Sequence, residues 1–206
     1  MPLALHRVMT LAVRHQPAPE SATFVFTDIV DSTEMTVRLG DHEALRVMDA
    51  HDTIVRAACA AHDGLEVEQK GDSFLLAFAT ADRGVCCALE IQRALARYRR
   101  SNPEPLRVRS GVHTGTALRC KDGYFGSAVV LTARVCAAAR ANETLVTSAA
   151  AAASGRTEWG PPRIETFKGF RQPQMVLAIE WAEQALPAWT EPSRMLHRSS
   201  RVAVTL

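Results

Sequence analysis

The residues best placed to do chemistry in this sequence are aspartates at predicted strand ends. In ATFVFTDIVDSTEMT, residues 22–36, the apolar run Phe24-Val25-Phe26 leads straight into Asp28, and a second acid follows at Asp31. Carboxylates at the end of a core strand are costly to desolvate unless a cation, a helix start or a basic side chain meets them. A third acid, Asp72, sits at the turn of LEVEQKGDSFLLAFA, residues 65–79. If the first strand pairs beside that hairpin, Asp28 and Asp72 occupy neighbouring strand ends. Two carboxylates converging with a backbone carbonyl make a hard-oxygen site suited to Mg²⁺ or Mn²⁺. On spacing alone, the plainer assignment to turn residues and caps stays open.

The elements that must position these acids follow from periodicity. A strand over 22–29 is followed at once by a helix, with Asp31 as its cap and Glu34 reaching back. Leu45, Met48, Asp52, Val55 and Cys59 mark one side of a longer helix that stops at His62-Asp63-Gly64, where the glycine can turn left-handed. Leu65, Val67 and Gln69 then alternate against Glu66, Glu68 and Lys70, and a two-residue loop at Gly71-Asp72 closes a hairpin. Helical spacing returns over 82–100. Strands follow over 106–112 and near 115–119, then a helix from about 126 to 140, strands near 143–147 and 174–180, and a short alanine-rich helix at 149–153. This order predicts an α+β fold, a ferredoxin-like plait whose antiparallel sheet carries helices on one face.

The 206 residues, 47% apolar and 22% charged, suit one domain. Pro17-Ala18-Pro19 and the proline- and serine-bearing stretch after Trp181 divide the chain into an extension (1–20), an organised unit (21–182) and a tail (183–206). A net charge of +2, with no basic run longer than Arg99-Arg100, gives no nucleic-acid footprint. The apolar run within Met1 to Val13 is too short and too broken for a signal peptide or a membrane span. Five cysteines without paired metal-ligand spacing predict reduced thiols and a cytoplasmic setting.

The motifs FVFTDIVDST, KGDSFLLAF, VRSGVHTG, GYFGSAVVLTARVCAAA and ETFKGF, in this order and at these separations, resemble the class III nucleotidyl cyclases. These enzymes convert a nucleoside triphosphate to a 3′,5′-cyclic monophosphate and pyrophosphate, and the likeness covers nearly all of 21–182. The 44-residue step from Asp28 to Asp72 resembles that between the family's two metal aspartates. The resemblance implies two divalent cations, Mg²⁺ or Mn²⁺, held by Asp28, Asp72 and the carbonyl of Ile29. It also implies that the backbone of Val30, Asp31, Ser32 and Thr33 meets the phosphates at a helix start, joined by Arg109 and Lys168, and that Arg134 stabilises the transition state. His113 is read as structural. One turn before Arg134 the family usually has an asparagine that orients the ribose. Here Val130 stands there, so that contact is lost or supplied by Thr132 or Ser127, and slow turnover is expected.

Where adenylyl cyclases of the family read the base with a lysine and an aspartate or threonine, this chain has Glu68 and Gly123, the latter beside Tyr124. A glutamate accepts from the guanine N1 and N2 donors but faces an acceptor at adenine N1, which favours GTP over ATP. Gly123 offers only a backbone N–H to guanine O6, Tyr124 fills space or stacks, and Lys70 can neutralise Glu68. Discrimination is therefore expected to be modest, and an adenylyl cyclase framework with mixed specificity is the alternative. In the family the metal aspartates come from one subunit, and the base readers, arginine and lysine from the other. All occur on this chain, which implies a homodimer with two shared sites. The rivals are a catalytically silent nucleotide-binding module and a metal-dependent phosphotransferase or polymerase-like palm.

Overall fold

A computed structural model describes residues 18–121 and 123–181. The tail over 183–206, and the extension apart from its last three residues, lie outside the described residues. Thirteen elements occur in the order β1 (Pro19–Ile29), α1 (Ser32–Leu39), α2 (Asp41–Ala61), β2 (Leu65–Lys70), β3 (Ser73–Phe78), α3 (Ala81–Ser101), β4 (Val108–Cys120), β5 (Gly123–Phe125), α4 (Ser127–Ala138), β6 (Thr144–Thr147), α5 (Ser148–Ala153), β7 (Arg163–Glu165) and β8 (Gln174–Ala178).

One sheet runs β2-β3-β1-β4-β6-β8-β7, with β5 paired to β4. Its pairs are antiparallel except β4 with β6, which are parallel through Ser110↔Thr144 and Val112↔Val146. The expected antiparallel sheet is thus mixed. The reason is the connection: α4 lies between β4 and β6, and a helical crossover returns the chain in the same direction. The strands expected at 106–112 and 115–119 are one continuous strand, β4.

Helices cover both faces rather than one. Val25, Ile29, Phe74, Leu76 and Phe78 pack with α2 and α3 residues such as Ile54, Val55, Leu89 and Ile91. On the other face, Phe24, Leu75 and Ala77 pack with Ala128 of α4. This explains why Phe24 and Val25, adjacent and therefore on opposite faces, are both fully buried. Each such side chain contributes about 1.5–3 kcal/mol, so the strand carrying Asp28 is among the most firmly held parts of the molecule.

Three local expectations are corrected. The buried stripe of α2 is Ala44, Val47, His51, Ile54, Val55, Ala58 and Cys59, while Leu45 is exposed. At the end of α2 the left-handed residue is Asp63 (φ 52°), not Gly64. Gly64 is required for space instead, because a Cβ there would lie 2.3 Å from Phe78 Cε1. In β2 a bulge between Glu66 and Glu68 breaks the alternation. Glu66 and Gln69, assigned to opposite faces, both reach Arg56 on α2, and Val67 packs on the face opposite α2.

Candidate active site

Asp28 lies one residue before the end of β1, on the face that carries Phe24 and Phe26, and its partner across β1 and β4 is Arg109. Cross-strand partners share a face, so the two side chains meet. Arg109 donates from Nε (2.9 Å) and Nη2 (2.5 Å) to Asp28 Oδ2, and Ser73 Oγ donates to Oδ1 at 2.7 Å. Burial of the Arg109 guanidinium opposes its charge. The hydrogen bond and field of Asp28, with a smaller contribution from Asp72, outweigh that cost and hold its pKa above the usual arginine value.

Asp72 stands in the two-residue turn of the β2–β3 hairpin, which forms as expected with Lys70 opposite Ser73. Its Oδ2 is buried and has no hydrogen-bond partner within the chain. An orphaned buried carboxylate oxygen is unfavourable unless a cation meets it. With Asp28 on the adjacent strand end, this donor set fits a divalent cation. Among the described residues no group of three or more His, Cys, Asp and Glu forms a self-contained metal centre. Asp28 and Asp72 therefore have no third carboxylate, imidazole or thiolate grouped with them among the described residues.

The turn from β1 into α1 departs from the expected capping box. Asp31 takes a left-handed conformation (φ 59°) and makes no side-chain cap bond. Its carboxylate accepts from Arg107 Nη2 at 3.1 Å, and the Val30 amide donates to the Arg107 carbonyl at 2.9 Å. Val30's amide is therefore committed to the fold rather than offered to phosphate. A non-glycine residue held left-handed costs on the order of 1 kcal/mol or more, and such strain concentrates at functional sites. The first intrahelical bond runs from Met35 N to Asp31 O, which leaves the amides of Ser32, Thr33 and Glu34 as the unpaired donors of the helix start.

Arg134 is exposed on α4, and Lys168 is exposed in the turn between β7 and β8, below which Phe167 packs with Leu131 and Val135 of α4. Val130, one turn before Arg134, is 48% exposed. Thr132 is corrected as a substitute ribose contact: it is fully buried and its hydroxyl donates to the Ala128 carbonyl at 2.7 Å. Ser127 remains exposed. The height of α4 above the sheet is set by Gly111, where a Cβ would lie 2.3 Å from the backbone nitrogen of Cys136.

The expected base readers lie at the β2 edge. Glu68 is exposed opposite Leu75. A cavity of about 320 Å³ is lined by Val67, Arg119, Lys121, Gly123 and Tyr124 among others, but not by Glu68. The Tyr124 hydroxyl is engaged within the chain, donating to Glu20 Oε1 at 3.2 Å and accepting from Arg119 Nη1 at 2.7 Å. Its ring stands edge-on to Phe24, with centroids 5.1 Å apart. Tyr124 is therefore tied into the fold by its hydroxyl and its ring. Burial drives the His113 pKa down to about 4, and its Nδ1 shares a 2.9 Å hydrogen bond with Thr147 Oγ1, in accord with a structural role.

One chain thus gathers Asp28, Asp72, Ser73 and Arg109 at one corner of the sheet, while Arg134, Lys168 and Glu68 face outward elsewhere. Ser73 is not among the residues singled out by type and spacing, and its place directly after Asp72 is the only local signal for it. Residues 14–160 match the family model described as the adenylate and guanylate cyclase catalytic domain. The chain belongs to this family.

Among its relatives is a serine/threonine-protein kinase of Myxococcus xanthus, 32% identical over 142 residues, a match covering 68% of this chain and 17% of that protein. Another is an uncharacterized protein of Mycobacterium tuberculosis, 29% identical over 68% of this chain and 47% of the relative. The chain therefore spans less than half the length of these curated relatives. Two similar crystal structures are a guanylyl cyclase (TM-score 0.74, 22% identity, 87% of this chain and 98% of that one) and the adenylyl cyclase CyaB from P. aeruginosa (TM-score 0.73, 18% identity, 81% and 97%). They establish that the cyclase domain's fold is shared. No helix among the described residues is long and apolar enough to cross a membrane.

Proposed function

We propose that this cyclase-family domain converts a purine nucleoside triphosphate, GTP in preference to ATP, into the 3′,5′-cyclic monophosphate and pyrophosphate at sites shared by two copies of the chain. The observation that carries the reading is the buried, unpartnered Oδ2 of Asp72 beside the half-buried Asp28. Two divalent cations, Mg²⁺ or Mn²⁺, held by these carboxylates and the Ile29 carbonyl would acidify the ribose 3′-hydroxyl and neutralise phosphate charge. The bond formed is from the 3′-oxygen to the α-phosphorus. The bond broken joins the α-phosphorus to the bridging oxygen of the departing pyrophosphate, and the hydroxyl proton passes to solvent. The open amides of Ser32 and Thr33, with Arg109 and Lys168, bind phosphate oxygens. Arg134 meets the charge that develops at the α-phosphate, where a preorganised guanidinium contributes several kcal/mol.

The exposure of Arg134 and Lys168, outside the corner that holds the aspartates, supports a shared site. So do the exposed apolar residues Phe125 on β5 and Val130 on α4, which a second copy would cover. Glu68, open at the β2 edge, is free to accept from a guanine bound across the interface. Incubation of the purified protein with Mn²⁺ and either GTP or ATP, followed by product identification, tests the reaction. Cyclic GMP should predominate, and equal or better turnover of ATP refutes the base assignment. Mixing an Asp28→Ala chain with an Arg134→Ala chain should recover part of the activity that each has lost, and no recovery counts against shared sites. Val130 in place of the expected asparagine favours one rival, a silent nucleotide-binding module, which predicts binding of GTP without product.

A further inference from the structure

Arg109 does more in this structure than point toward a phosphate site. Both Nε and Nη2 converge on Oδ2 of Asp28, and Ser73 occupies Oδ1. A carboxylate has about four lone-pair positions on two oxygens, so three donors fill most of the acceptor capacity of a residue that has to ligate a cation. Arg109 is also held by α4: Nη1 of its guanidinium donates to the Ala137 carbonyl at 3.4 Å, and its backbone carbonyl accepts from Cys136 Sγ at 3.5 Å. Arg109 is therefore built into the corner. The neighbouring acid is treated differently, since Asp72 Oδ2 has no donor from the chain. One acid of the pair is already engaged by a positive group, and the other is open.

We infer that Arg109 is an internal competitor for the cation site, holding Asp28 until a divalent cation enters together with a triphosphate, whose phosphate oxygens then take over the guanidinium. The inference rests on the reading of Asp28 and Asp72 as cation ligands and adds the control of their loading. A cation arriving alone must displace a charge-assisted hydrogen-bond pair. A cation arriving with nucleotide brings Arg109 a replacement partner. Cation and nucleotide therefore bind cooperatively, and Arg109 carries the coupling. The site is held closed to free cations and opens to the cation–nucleotide pair.

The experiment measures Mn²⁺ binding to the full chain without nucleotide, from the electron paramagnetic resonance signal of free Mn²⁺. The chains compared are the wild type, Arg109→Gln, Arg109→Lys and Asp28→Asn, and the double variant of Arg109→Gln with Asp28→Asn. Hydrogen bonds to a charged group are worth enough that their loss should tighten Mn²⁺ binding by Arg109→Gln roughly tenfold or more. Arg109→Lys keeps the charge but cannot set two N–H groups on one oxygen, so it should fall between the two. Adding 3′-deoxy-GTP, which cannot cyclise, should tighten Mn²⁺ binding markedly in the wild type and much less in Arg109→Gln. If Arg109→Gln and Arg109→Lys bind Mn²⁺ no more tightly than the wild type while Asp28→Asn still weakens binding, Arg109 is not a competitor and the metal reading survives. If Asp28→Asn leaves Mn²⁺ binding unchanged in both backgrounds, the metal reading fails and the inference falls with it.

Discussion

Acidification should unfold this protein partly through His113. Its pKa is pushed down to about 4 from an ordinary 6.5 by burial between β4 and its surroundings. A histidine with a depressed native pKa favours the unfolded state once protons are available. Its contribution is complete above pH 6.5 and is lost as pH falls toward 4. With these two values, the loss at pH 5 is RT times the logarithm of the ratio of the unfolded and native binding polynomials, about 2 kcal/mol, with a ceiling of about 3 kcal/mol below pH 4. For a domain of this size, 2 kcal/mol corresponds to a shift of roughly 4–8 °C in Tm. The assay compares thermal or urea unfolding of the wild type and His113→Gln at pH 7.5 and pH 5. Replacement also loses the bond to Thr147 and some packing, but those costs are common to both pH values, as are the titrations of other groups. The wild type's advantage over the variant should shrink by about 2 kcal/mol between pH 7.5 and 5. An advantage that stays constant, or grows on acidification, refutes a half-buried, neutral His113.

Gly111→Ala should destabilise the fold by about 1–3 kcal/mol or more, because the new Cβ meets the backbone of Cys136 and Thr132 rather than a movable side-chain end; urea midpoints check this, and cyclase activity should fall further as α4 and Arg134 are displaced. Asp72→Asn should leave unfolding without metal unchanged or raise it by about 1 kcal/mol, since it removes the charge from an unpartnered buried oxygen, and should abolish the rise in Tm that Mn²⁺ and 3′-deoxy-GTP together should give the wild type. Glu68→Lys, at an exposed edge position that carries no fold contact to Arg56, should keep stability within about 0.5 kcal/mol and move the ratio of cyclic GMP to cyclic AMP toward the latter.

How much of this was legible in the sequence depends on the range of the interaction that decides each feature. Strand and helix identities were legible because period-two and period-3.6 patterns are local: β1, the β2–β3 hairpin, α3 and α4 lie where the spacing puts them. The parallel β4–β6 pair was not, because strand direction is set by which neighbour the chain finds after α4. The face of α2 was misplaced for a similar reason. Leu45 looked like a core residue by type, whereas His51, fully buried against Phe74, did not. In β2 the bulge inverts parity after Glu66, and no side chain there announces it.

The candidate site divides along the same line. Asp28 and Asp72 were legible because a charged residue at the end of an apolar strand is a local conflict that needs a compensating partner. What compensates Asp28 was not legible, since Arg109 is 81 residues away from it and meets it only through the β1–β4 register. The same register explains why one acid has a guanidinium and the other has none: Asp28 lies within the ladder opposite β4, while Asp72 lies in a turn beyond it. An arginine on β4 can serve only the acid that faces it. The asymmetry between the two carboxylates is thus a consequence of where β1 pairs, and shifting that register by one residue would turn Asp28 away from Arg109 to the opposite face of the sheet.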